Sequence, residues 1–158
     1  MKKIAILTFI LALVLTLSAC VSEAKPTQLG TSDLSIVLPE GYASAEDELD
    51  EDQVAYYYKD DNSIDFDVYQ WAKGDKYTLE SEANTYAAEY GTTAEAVKVK
   101  GISGYKYVST EDYEGKTYTV VNYMFEDDTN IVEICFWTVN TDAEDAAVNE
   151  IINTLKKN

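Results

Sequence analysis

Tyr118-Thr119-Val120-Val121-Asn122-Tyr123-Met124-Phe125 and Ile131-Val132-Glu133-Ile134-Cys135-Phe136-Trp137-Thr138-Val139 stand on either side of the short polar turn Asp127–Asn130. β-Branched and aromatic residues dominate both stretches, as strands require. Apolar side chains fall at odd and at even positions, so both faces of each strand are expected to be covered. The two stretches are read as the centre of a sheet, and so short a link permits only antiparallel pairing.

Working outward, Ala96–Lys100, Ile102–Thr110 and Lys116–Glu126 read as further strands, punctuated by Gly101 and by Glu111–Gly115. Upstream, Leu34–Leu38 reads as a first strand ended by Pro39-Glu40-Gly41-Tyr42. Gln53–Lys59 and Ser63–Ala72 form a hairpin around Asp60-Asp61-Asn62. Between the two groups Thr78 caps a helix running to Tyr90, with Leu79, Ala83, Tyr86, Ala87 and Tyr90 on one face and Gly91 just beyond its end. A capping box at Thr141-Asp142-Ala143-Glu144 opens a final helix carrying Ala147, Val148, Ile151, Ile152 and Leu155 on one stripe, with Lys156 and Lys157 at its negative end. The order βββαββββα describes an α+β domain on a seven-stranded, mainly antiparallel sheet.

The strand ending in Leu38-Pro39-Glu40-Gly41-Tyr42, the hairpin, the mid-chain helix, the turn Gly101-Ile102-Ser103-Gly104-Tyr105 and the C-terminal helix together resemble the PsbP/Mog1-like fold over residues 33–158. That resemblance implies an α/β/α sandwich. It also implies a non-enzymatic accessory protein, since the family includes a photosystem subunit, a nuclear-transport factor and many bacterial lipoproteins, and shares no catalytic motif.

The N-terminus carries an address. Met1-Lys2-Lys3 precedes an apolar run from Ile4 to Leu17, the layout of a signal peptide and shorter than the ~20 residues a spanning helix needs. Leu17-Ser18-Ala19-Cys20 resembles the lipobox of bacterial lipoproteins, which implies cleavage before Cys20 and a diacylglycerol on its sulfur. Two acyl chains anchor stably where one binds only marginally. The expected organisation is a signal peptide over 1–19, a lipidated cysteine and flexible tether over 20–32, and a globular domain over 33–158. The domain is expected at the outer face of the bacterial cell membrane, docking an envelope protein partner.

Composition narrows the chemistry. The chain has 158 residues and a formal net charge of −17, and loss of Lys2 and Lys3 with the signal makes the exported part more negative still. Such a surface repels phosphate backbones, so nucleic acid is not an expected partner. The sequence contains no histidine and no arginine. This removes the Ser-His and Cys-His nucleophile pairs, the commonest zinc ligand and the bidentate clamp for phosphate. With Cys20 lipidated, Cys135 has no disulfide partner and reads as a small apolar residue of a strand.

Two constellations remain. Asp65, Asp67, Tyr69 and Trp71 alternate along one strand and so share a face, a pattern that suits glycan or other ligand binding. Against this, Tyr69 and Trp71 are expected to cover the sheet beneath a helix, with the aspartates near the hairpin turn meeting water. The second is the acidic run Glu46–Asp52, of which Asp47, Asp50, Glu51 and Asp52 are candidate ligands of a weak calcium site, although no EF-hand pattern is present. No cofactor is expected otherwise. A small-ligand, glycan or divalent-cation-binding lipoprotein is therefore the alternative to a protein-docking module.

Overall fold

The structure is a computed structural model and describes residues 25–45, 49–59, 64–139 and 142–158. In chain order these form β1 (Pro26–Gln28), β2 (Leu34–Val37), β3 (Ala43–Ala45), β4 (Gln53–Tyr58), β5 (Asp65–Ala72), α1 (Leu79–Glu89), β6 (Glu95–Val99), β7 (Ile102–Tyr113), β8 (Lys116–Glu126), β9 (Asn130–Thr138), α2 (Asp142–Ile152) and β10 (Lys156–Lys157). Cys20 and the expected signal peptide, Asp47, the Asp60–Asn62 turn and the capping residue Thr141 lie outside the described residues. No helix among the described residues is long and apolar enough to cross a membrane.

A seven-stranded sheet runs in the order β3-β4-β5-β9-β8-β7-β6, every neighbouring pair antiparallel. β9 is its middle strand with β8 beside it, as their unbroken apolar character predicts. The turns joining the β6–β7 and β7–β8 hairpins are two residues long. Lys100-Gly101 has φ of 50° and 91°, and Glu114-Gly115 has φ of 49° and 77°. This left-handed pair matches the strand twist, and glycine takes it without steric cost. Because so short a turn suffices, β7 runs on to Tyr113, past the Thr110 end expected from sequence.

The period of two splits the sheet into two unlike faces. Phe66, Val68, Val121, Tyr123, Phe125, Val132, Ile134 and Phe136 point to one side, where they meet Val148, Ile151, Ile152 and Leu155 around α2 in the main core. On the other side α1 lies over only part of the sheet. Its Leu79, Ala83 and Ala87 bury against Tyr107, Met124 and Ile131. Thr78 caps α1 as expected, its hydroxyl accepting from the Ser81 N–H while the Ser81 hydroxyl accepts from the Thr78 N–H.

Three expectations are corrected. Leu34–Leu38 was expected in the main sheet, but β2 instead centres a separate three-stranded sheet, β1-β2-β10, and β3 supplies the seventh strand. The reason is packing: Leu34 and Ile36 of β2 are fully buried against the main core, a layer above the seven-stranded sheet and not an extension of it. The tether was expected over 20–32, but from Pro26 on this segment is structured, since β1 pairs with β2 and Leu29 is fully buried. The final helix stops at Ile152, so Lys156 and Lys157 do not complement its C-terminus; they pair with Ser35 and Leu34, and Lys157 meets Asp33 at 3.3 Å.

Asp127 fastens the β8–β9 turn to the start of β2. One carboxylate oxygen accepts from the Thr129 and Asn130 N–H groups at 2.7 and 2.6 Å, the other from the Asp33 N–H at 3.1 Å. Burial pushes its acidity the other way, yet these donors outweigh it and hold the carboxyl at about 2. Gly104, in β7, meets β8 so closely that a Cβ there would stand 2.5 Å from the Met124 carbonyl oxygen and from the Phe125 ring.

The structured N-terminal segment carries a direct test. Leu29→Ala is expected to lower unfolding stability by about 2–4 kcal/mol, the cost of emptying a fully buried leucine site, as read by urea denaturation. A residue of a free tether would leave the midpoint unmoved.

Candidate functional site

The part of the sheet that α1 leaves bare forms an open groove of about 900 Å³. Its floor comes from alternate residues of adjacent strands held in register. Asp65 pairs across β5–β9 with Trp137, Asp67 with Cys135 and Tyr69 with Glu133, while Asn122 of β8 faces Cys135 from the other side and Tyr107 of β7 lies next in the row. A register shift between Gln53 and Ala55 re-phases β4, so that Gln53 and Tyr56, three apart, both face the groove.

All four residues of the Asp65/Asp67/Tyr69/Trp71 set line the groove, as their alternation predicts. They do not act alike. Trp71 sits at the covered end, its ring 5.4 Å from that of Tyr86 on α1. Asp65 lies at the open end and accepts a 2.9 Å hydrogen bond from the Tyr56 hydroxyl. Asp67 was expected to meet water, but it is only 6% exposed. Gln53 Nε2 donates to one of its oxygens at 2.6 Å and Trp137 Nε1 to the other at 2.5 Å. Burial raises its affinity for a proton and these two donors oppose that shift.

Sequence reasoning missed Trp137, Tyr113, Glu111 and Glu133 as groove residues. Trp137 is met edge-on by Tyr118, with centroids 5.7 Å apart and planes at 78°, and by Tyr113 at 6.4 Å and 62°. Glu111 faces Tyr118 across β7–β8, and burial together with the Glu111 charge pushes the phenol of Tyr90, at the end of α1, up to about 12. Glu133, 5% exposed, accepts a 2.5 Å hydrogen bond from the Tyr107 hydroxyl beneath α1. The signal that would have found them is the same alternation, carried from β5 into β9, β8 and β7 once the register is known.

The candidate cation ligands Asp50, Glu51 and Asp52 stand at the groove mouth. Gln53 staples this loop to the floor: its side-chain oxygen accepts from the Asp50 N–H at 2.8 Å, and its own N–H donates to the Asp50 carbonyl at 3.1 Å. Among the described residues no group of three carboxylates or thiols is arranged to hold a metal ion. The Cys135 thiol is buried on the same face. Burial first, then Glu133, Asp67 and Glu111, push its pKa well up, which keeps it an unreactive thiol.

Glu133 links the groove to stability. Burial pushes its carboxyl up to about 7 against the pull of the Tyr107 hydrogen bond, whereas in the unfolded chain it titrates near its ordinary 4.5. Between these values the folded state binds more protons than the unfolded state, so this group makes stability fall as pH rises from about 4.5 to 7, by about 3 kcal/mol in total. Glu133→Gln keeps an acceptor for Tyr107 and carries no charge. It is expected to remove that slope, so that denaturation midpoints of variant and parent are close at pH 4.5 and the variant is the more stable at pH 8.

No family model matches this sequence, and no curated protein matches it. Solved structures do. The solution structure of cyanobacterial PsbP (CyanoP) from Synechocystis sp. PCC 6803 is similar over 90% of this chain and 99% of its own length, with a TM-score of 0.64 at 12% identity. A crystal structure from Bacteroides thetaiotaomicron VPI-5482 is similar over 83% of this chain with a TM-score of 0.59 at 19% identity, and this chain spans 49% of its length. At such identities the likeness is one of fold, and the fold of this chain is PsbP-like.

Proposed function

We propose that this chain is a lipid-anchored, non-enzymatic binding module at the outer face of the bacterial cell membrane, docking an envelope protein partner through its groove. The observation that carries the reading is the make-up of that groove: seven carboxyl side chains (Asp50, Glu51, Asp52, Asp65, Asp67, Glu111 and Glu133) stand among tyrosine and tryptophan rings, and among the described residues no lysine lines it. Tyrosine and tryptophan give contact area at low entropic cost, and uncompensated charge of one sign steers a partner of the other. The PsbP-like fold supports an accessory or binding role. Asp65 and Asp67 are engaged by Tyr56, Gln53 and Trp137, an arrangement that holds rings in place and favours binding over acid-base chemistry. The lipobox-like Leu17-Ser18-Ala19-Cys20 supports the anchor.

The size of the groove also suits a small ligand in place of a protein segment, and the two are separated by cross-linking in living cells. A photoreactive amino acid at Tyr113, 60% exposed at the groove, is expected to give a reproducible adduct with an envelope protein. The same group at Val108, 42% exposed on the opposite face of the same strand, serves as the control and gives none. Equal labelling from both positions, or none from Tyr113, overturns protein docking through the groove. For the anchor, Cys20→Ala is expected to shed the protein into the medium or leave it unprocessed; a variant still processed and membrane-bound would exclude lipidation at this cysteine.

A further inference from the structure

The open end of the groove has a more specific geometry than its composition requires. Trp137 projects from β9 with its indole N–H committed to Asp67, and Asp67 is in turn fixed by Gln53, so the ring cannot rotate without breaking its hydrogen bond to a carboxylate that is itself held in place. Tyr118 and Tyr113 stand against this fixed ring at 78° and 62°. Two tyrosine rings that each meet the indole at a steep angle make a corner with it and not a stack. Asp65 lies directly across the strand pair from Trp137, and Glu111 directly across from Tyr118. The corner therefore has aromatic walls with carboxylates beside them.

Several ligand classes fail against this arrangement. An anion meets carboxylates with no lysine among the described lining residues to offset them. A bare metal ion needs several free carboxylate oxygens at one point, and no such group of three exists among the described residues. A sugar ring stacks on a flat exposed aromatic face, whereas the Trp137 ring is walled by two tyrosines at steep angles. A cation with a hydrocarbon surface meets none of these objections. The negative faces of the rings attract it, its methylenes or methyls lie against apolar carbon, and the nearby carboxylates offset its charge without having to give up their neutral hydrogen-bond donors.

We infer that Trp137, Tyr113 and Tyr118, flanked by Asp65 and Glu111, form an aromatic cage for an alkylammonium group. Two sources present this chemistry, the side chain of a lysine on a partner protein and a free quaternary amine. The inference rests on the groove being the binding surface, and it names what that surface recognises.

The test titrates the full-length protein, in detergent, with two cations and their uncharged counterparts. Choline is paired with 3,3-dimethylbutan-1-ol, and a blocked lysine amide with the same compound acetylated on its side-chain nitrogen. Calorimetry and tryptophan fluorescence read binding. At least one cation is expected to bind saturably and its neutral partner at least about tenfold more weakly, as attraction to ring faces and carboxylates demands. Tyr113, exposed enough to be replaced without disturbing the core, gives the decisive variants: Tyr113→Leu is expected to weaken binding by about 3- to 30-fold, while Tyr113→Phe, which keeps the ring, restores it. Binding of the lysine compound points to a protein source, and binding of choline alone to a free amine. The cage is overturned if the neutral partners bind equally, if Tyr113→Leu binds as the parent does, or if neither cation binds. Should neither bind while Tyr113 still cross-links to an envelope protein in cells, the cage fails and the docking module stands.

Discussion

The indole N–H of Trp137 and the carboxylate of Asp67 share the hydrogen bond on which the groove depends. Asp67 is buried, and a buried carboxylate is tolerated only when donors surround it. Here one donor is an indole and the other a side-chain amide from Gln53, which reaches the site because a bulge re-phases β4. Meeting the needs of one aspartate thus orients a tryptophan, anchors the acidic loop at the groove mouth and draws three strands together. The same economy recurs beneath α1, where the Tyr107 hydroxyl answers the buried Glu133.

The two faces of the sheet differ in kind. One is a conventional apolar interior, closed by α2 and the small sheet. The other carries acids, tyrosines and an asparagine in the same register positions, and α1 covers only the part where Met124, Ile131 and Tyr107 supply an apolar patch to receive it. The helix is held by its three small or slender buried residues, Leu79, Ala83 and Ala87. Beyond that patch carboxylates stand among the aromatic rings, and the sheet stays open.

Local pattern revealed seven of the ten strands among the described residues, missing the short β1, β3 and β10, together with both helices, the antiparallel order and the shared face of Asp65, Asp67, Tyr69 and Trp71. These follow from periods of two and 3.6 that are written along the chain. The groove was not legible, because its parts come from strands distant in sequence. That Trp137 lies opposite Asp65, or Glu111 opposite Tyr118, depends on register, which the two-residue turns and one bulge set in three dimensions. Reading β8 and β9 as apolar on both faces hid Glu133 and Asn122 among their neighbours. The place of β2 was missed for a different reason: a strand of four apolar-rich residues reads alike whether it extends a sheet or lies in a layer above it.

The small sheet brings both ends of the described chain to one strand. β1 and β10 flank β2, each antiparallel to it and so parallel to one another, on the side of the main sheet away from the groove. Tension drawing the two ends apart along the strands acts at right angles to the hydrogen bonds of both pairs and loads them together in shear, where a hairpin pulled from one end would peel open bond by bond. Slippage of either strand would also disturb the layer of Leu29, Leu34 and Ile36 beneath. A pull between the two ends of the described chain is thus met by the small sheet and its buried layer, on the side of the main sheet away from the groove.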